Sequence, residues 1–206
     1  MKLFRKQKKK ACPPCLKHSF CRRGFTLVEM LVAVSIFTAS ILALLGILAQ
    51  GISNTGYAKR KVIASYLAQE GVEYMRNMRD TYMLYSGGAQ TGWNNFNATL
   101  VDISACNGVN GCYINADSLN YSDSTQPMID IALTACASST CSNGALLYNS
   151  ATGKYGFSGT ASGLTRKIRT VVVSADETKI ISTVSWSQGS GNYSVVFSEN
   201  LFNWIE

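Results

Sequence analysis

The sequence predicts an α+β protein: a long N-terminal helix, apolar in its first half, packed on a C-terminal antiparallel β-sheet head. Three observations point there. Residues 25–49 form an apolar run of twenty-five residues with one charge, Glu29. A helical apolar stripe then runs on toward the Gly87-Gly88 pair. The last forty residues break into three segments rich in β-branched and aromatic side chains, separated by turn residues.

The apolar run sets the membrane question. As a helix it spans roughly 37 Å, enough to cross a bilayer. The formal net charge of the 206 residues is +7, but residues 1–24 hold nine Lys/Arg and no acid, so that segment carries +9 and the remainder −2. The basic balance therefore marks an N-terminal tract, not a nucleic-acid patch on the folded body. By the positive-inside rule this tract stays in the cytosol, and the chain beyond residue 50 lies outside. The run exceeds the apolar core of an ordinary secretory signal, and it continues directly into a helical pattern with no convincing small-x-small cleavage site followed by a mature start.

The charge within this run needs a reason. A carboxylate costs about 2.5–3.5 kcal/mol at the bilayer centre and less near an end. Glu29 lies in RRGFTLVEM, residues 22–30. That stretch resembles the processing site of type IV prepilins and pseudopilins, and the match is unbroken from Gly24 through Glu29. The resemblance implies cleavage between Gly24 and Phe25 by a membrane-embedded prepilin peptidase, then N-methylation of the new Phe25 amino group. It also gives Glu29 a partner, the cationic terminus of a neighbouring subunit, and so a role in filament assembly.

The leader holds a second cluster, CPPCLKHSFC, with Cys12, Cys15, His18 and Cys21 at every third residue. Three thiolates and an imidazole suit zinc, and C-x-x-C suits redox chemistry. Idle reduced thiols in an unstructured cytosolic leader are the plainer expectation, so no metal is assigned.

Beyond the span, Ile63, Leu67, Gly71, Tyr74 and Met78 fall on one stripe with Val62 and Tyr66 beside it. This reads as the face that a head covers. Arg76 and Asp80, four apart, are placed to pair on the exposed side. Gly46, Gly51 and Gly56 weaken the helix where it leaves the bilayer. ASYLAQEGVEYMRNMRD, residues 64–80, also resembles the corresponding helix of pseudopilin-like and minor-pilin proteins.

Residues 86–165 are rich in Gly, Ser, Asn and Thr and read as loops and short strands. They hold Cys106, Cys112, Cys136 and Cys141. Outside the cytoplasm these four should form disulfides; three connectivities are open, and the close spacing favours Cys106–Cys112 and Cys136–Cys141. Asp117, Asp123 and Asp130 lack the spacing of a calcium loop. Asn97, Asn120 and Asn192 begin glycosylation sequons, a weak signal in an Asn-rich chain.

KIRTVVVSA (167–175), KIISTVSWSQ (179–188) and YSVVFSENLF (193–202) predict a three-stranded antiparallel meander. Ile180, Val184 and Trp186 share one face, as do Tyr193, Val195 and Phe197 on the next strand. The ending VSW…SVVFSENLFNW resembles that of some minor pilins and pseudopilins. The expected organisation is a cleaved leader, 1–24; a transmembrane and filament-core helix, 25–53; its amphipathic continuation, 54–85; a variable region, 86–165; and the head meander, 166–206.

The only histidine, His18, precedes the expected cut, so histidine-based triads and histidine–metal sites are excluded from the processed chain. Nothing points to an enzyme or a cofactor. Two function classes remain. One is a structural subunit of a type IV pilus or a type II secretion-like pseudopilus. The resemblance implies as partners the prepilin peptidase, other pilin or pseudopilin subunits, an inner-membrane platform with its assembly ATPase, and lipid before assembly. Nucleic acid would be met only through an assembled pilus. The alternative is a membrane-anchored extracellular binding protein that does not polymerise, which needs neither Gly24 nor Glu29.

Overall fold

A computed structural model describes residues 24–103, 106–115 and 133–204. The leader cluster at Cys12, Cys15, His18 and Cys21 lies outside the described residues, as do Asp117, Asp123, Asp130 and the sequon at Asn120. Two units are distinguished, one ending at Gln50 and the other beginning at Gly51.

Helix α1, Leu27–Tyr85, runs without a break and contributes to both units. Gly46, Gly51 and Gly56 do not interrupt it. It is long and apolar enough to cross a membrane. Gly87 and Gly88 come just after its end, and a short second helix, α2, occupies Ala89–Ala98. A π-helical turn, Thr99–Ile103, completes this connection.

The sheet comprises β1 (Cys112–Ile114), β2 (Leu133–Ala135), β3 (Ala145–Asn149), β4 (Lys154–Gly156), β5 (Thr160–Ser174), β6 (Glu177–Gln188) and β7 (Gly191–Phe202). Every pairing is antiparallel. Strands β5, β6 and β7 are the meander, with Leu164 opposite Trp186, and Trp186 opposite Tyr193. On its other edge β5 pairs with β3 along its first half and with β1 at Ile168. The first strand thus starts seven residues before the run of β-branched residues at 167. Its extra length, TASGLTR, is polar and small, and the pairing with β3 holds it in place. Gly163 has a φ of 74°, beside the register shift at Leu146/Leu147. That backbone region favours glycine, and its use lets a long strand bend.

Two apolar clusters form the core. In one, Ala64, Leu67 and Ala68 of α1 meet Leu146, Leu164, Val184 and Trp186. In the other, Met75 and Met78 meet Trp93 and Phe96 of α2 together with Ile168, Ile180 and Leu201 of the sheet. Trp93 is buried, and its indole N–H donates to the Ala175 carbonyl at 2.7 Å, which ties α2 to the β5–β6 turn. This satisfies the one polar atom of a large core side chain.

The expected stripe of α1 faces the core, with Ile63 and Tyr74 partly buried against the two clusters, but its flank lies on the other side. Leu67, Gly71 and Met78 of the stripe are buried, whereas Val62 and Tyr66 are 55% and 69% exposed. Ala64 and Ala68, fully buried, take that place. Small side chains let the helix backbone approach the sheet closely, a preference that a search for bulky apolar residues does not detect. Among the glycines of α1 the approach is closest at Gly71: an added Cβ would stand 2.5 Å from Ser182 Oγ and 3.2 Å from Arg166 Cδ.

Candidate processing and assembly site

Gly24, Phe25 and Thr26 precede the helix and are not helical. Thr26 is the N-cap. Its hydroxyl oxygen accepts from the Glu29 amide at 3.2 Å, and its carbonyl accepts from the Met30 amide at 3.2 Å, the first bond of the helical ladder. The first turn of a helix leaves amides without partners, and a threonine oxygen at this position satisfies one of them. Glu29 is the acid of that turn, on the side where the helix dipole favours negative charge. Sequence reasoning passed over Thr26, although T-x-x-E just before an apolar run is the pattern of a capping box.

Around this turn the unit presents apolar side chains outward: Phe25 is 75% exposed, Leu27 80% and Leu42 68%. The few hydroxyls in the run are satisfied within the helix. Ser35 donates to the Val32 carbonyl at 2.8 Å, Thr38 to Ser35 at 3.0 Å and Ser40 to Ile36 at 2.8 Å. Such back-bonding leaves a surface that hydrocarbon tolerates.

In the second unit the cysteines are bonded Cys106–Cys112 and Cys136–Cys141. Cys106 also anchors β5, since its carbonyl accepts from the Thr170 amide at 3.0 Å. Several acids of this unit are engaged by arginines of the chain itself. Glu70 meets Arg166, Glu73 and Glu199 both meet Arg76, and Asp80 meets Arg79. The expected Arg76–Asp80 pair is therefore replaced. Arg76 reaches Glu199 of β7 at 2.6 Å, a residue brought near only by the packing of α1 on the sheet. The hydrogen bond to Glu199 holds the Arg76 guanidinium above its ordinary range, against the opposing effect of burial. Among the described residues no three His, Cys, Asp or Glu side chains gather as a metal site. Asn97 and Asn192, which begin sequons, use their side chains locally: Asn97 donates to the Trp93 carbonyl, and Asn192 accepts from the Ser187 hydroxyl.

The described chain thus combines a helix long and apolar enough to span a bilayer, capped at Thr26 just after the Gly24–Phe25 bond, with a disulfide-bearing α+β unit. Residues 20–49 match the prokaryotic N-terminal methylation motif, the type IV prepilin-type signal. The match includes Gly24, Phe25 and Glu29. The motif supports a type IV pilin- or pseudopilin-like processed subunit, and with the apolar helix it fits anchoring in the inner membrane. No curated protein and no solved structure matches the chain significantly.

Proposed function

We propose that this chain is a structural subunit of a type IV pilus or a type II secretion-like pseudopilus, polymerised through its N-terminal helix. Prepilin peptidase cuts between Gly24 and Phe25, and the new Phe25 amine is methylated. The basic leader keeps the N-terminus cytosolic until the cut, and the region after residue 50 faces outward. The observation that carries the reading is Glu29, the one charge in an otherwise apolar exposed segment, four residues after Phe25. In lipid a lone carboxylate has no counter-charge. In a filament the cationic Phe25 terminus of a neighbouring copy supplies one, and the exposed apolar side chains exchange lipid for sister helices. A platform protein and assembly ATPase drive that exchange. The disulfide-bearing outer unit decorates the filament and has no catalytic task.

The test is the N-terminus and intact mass of the protein from cells with a prepilin peptidase, beside Glu29→Ala. The wild type begins at N-methyl-Phe25 and appears in sheared surface filaments, while the variant is cut but absent from them. A wild type that retains its leader removes the processing reading. A wild type that is cut but never enters filaments leaves an anchored binding protein instead.

A further inference from the structure

Hydrolysis of the Gly24–Phe25 bond adds water across it, leaving a Gly24 carboxylate and a free Phe25 amine. A peptidase must reach the Gly24 carbonyl carbon and hold the flanking backbone in its own geometry. A peptide inside an α-helix cannot offer this, because its carbonyl is bonded to an amide four residues on. In this chain a helix extended back by one turn would commit the Gly24 carbonyl to the Val28 amide. Apolar surroundings favour such extension, since each free amide or carbonyl there is costly. Something must stop the helix between Phe25 and Leu27.

The Thr26 side chain does so. Its hydroxyl oxygen already holds the Glu29 amide, and its own carbonyl starts the ladder at Met30. The scissile bond then lies outside the helix, with Phe25 75% exposed and nothing within 4 Å of where a Gly24 Cβ would be.

We propose that Thr26 is a positioning residue for processing: by capping the helix it holds the Gly24–Phe25 bond non-helical, in the form the peptidase takes. The inference rests on the processing reading above. It assigns to Thr26 the cleavage step, separate from the assembly role of Glu29.

The full-length precursor in membranes, mixed with prepilin peptidase, tests it through initial cleavage rates. Thr26→Val keeps the shape and loses the hydroxyl. Thr26→Ser and Thr26→Asn keep a capping oxygen. The Val variant is expected to be cut about five-fold more slowly, the population change set by losing one N-cap. The Ser and Asn variants should stay within about two-fold of wild type, since both remain good caps. Intact disulfides in every variant show that the outer unit has folded. Cleavage of the Val variant at the wild-type rate overturns the proposal. So do Ser and Asn variants as slow as Val, which would mean the enzyme reads threonine itself. A wild-type chain left uncut removes the processing reading, and the proposal with it.

Discussion

The Arg166 guanidinium lies 2.7 Å from the Glu70 carboxylate, joining β5 to α1 across the core. Arg166 is 2% exposed, whereas the Glu70 side chain is 40% exposed. Its charge also faces the Tyr74 ring, 5.5 Å from guanidinium carbon to ring centre. The pair is therefore asymmetric: the cation is inside and the anion has access to water.

That asymmetry ranks two substitutions. Glu70→Gln leaves a buried cation without its counter-charge, and removing one partner of a buried pair costs roughly 3–5 kcal/mol. Water at the Glu70 side moderates this to about 2–3 kcal/mol. Arg166→Met removes the buried charge and leaves a carboxylate that water can solvate, so its cost should be smaller, about 1 kcal/mol. Urea unfolding of both variants checks the order. A larger loss in Arg166→Met would show that guanidinium packing outweighs charge.

The contact of Gly71 with Ser182 predicts a compensating pair. In an exposed helix Gly→Ala gains up to about 1 kcal/mol. Here the new methyl meets Ser182 Oγ, so Gly71→Ala should instead cost roughly 1–3 kcal/mol by overpacking. The Ser182 hydroxyl is buried and has no hydrogen-bond partner among the described residues. Ser182→Ala alone should thus be neutral or slightly stabilising. Ser182→Gly combined with Gly71→Ala should recover most of the loss, and a double-mutant cycle measures the coupling.

The two disulfides should contribute unequally. Each closes a loop of only five or six residues, which gives about 2 kcal/mol by chain entropy. Cys106 and Cys112 are fully buried members of the larger apolar cluster, and Cys136 and Cys141 are outside both clusters. Replacing Cys106 and Cys112 together by Ala should cost roughly 3 kcal/mol, a small cavity added to the loop effect. Cys136 and Cys141 are buried too, at 5% and 0% exposure, but outside the clusters, so replacing them should cost less, about 2 kcal/mol. Thermal unfolding of the two double variants decides it.

Tyr155 gives a pH dependence. Burial pushes its hydroxyl above the ordinary value of about 10, and Tyr148, with ring centres 5.1 Å apart, adds to the shift. The folded chain thus holds this proton more tightly than the unfolded one. Stability is unaffected below about pH 10 and falls as pH rises through the higher folded value. Tyr155→Phe should flatten this alkaline decline, read from denaturant midpoints between about pH 8 and 12.

Features that the chain states locally were legible in the sequence. The prepilin-type signal is a contiguous run, Gly24 to Glu29. The membrane-length helix is implied by unbroken apolar composition, and the meander by β-branched runs between turns. Each depends on residues near one another in sequence, where periodicity and turn chemistry act directly. The cap at Thr26 was equally local, written in T-x-x-E.

Only the tertiary structure decided what joins residues far apart. Arg76 takes Glu199 over Asp80 because β7 lies against α1 at that turn. Ala64 and Ala68, not Val62 and Tyr66, face the sheet, because close approach selects small side chains. Arg166, an ordinary strand residue by sequence, becomes a buried cation because Glu70, ninety-six positions earlier, stands opposite it. Local pattern determines which elements form; their relative phase is set by which surfaces fit when they pack, and that fit is a property of the pair.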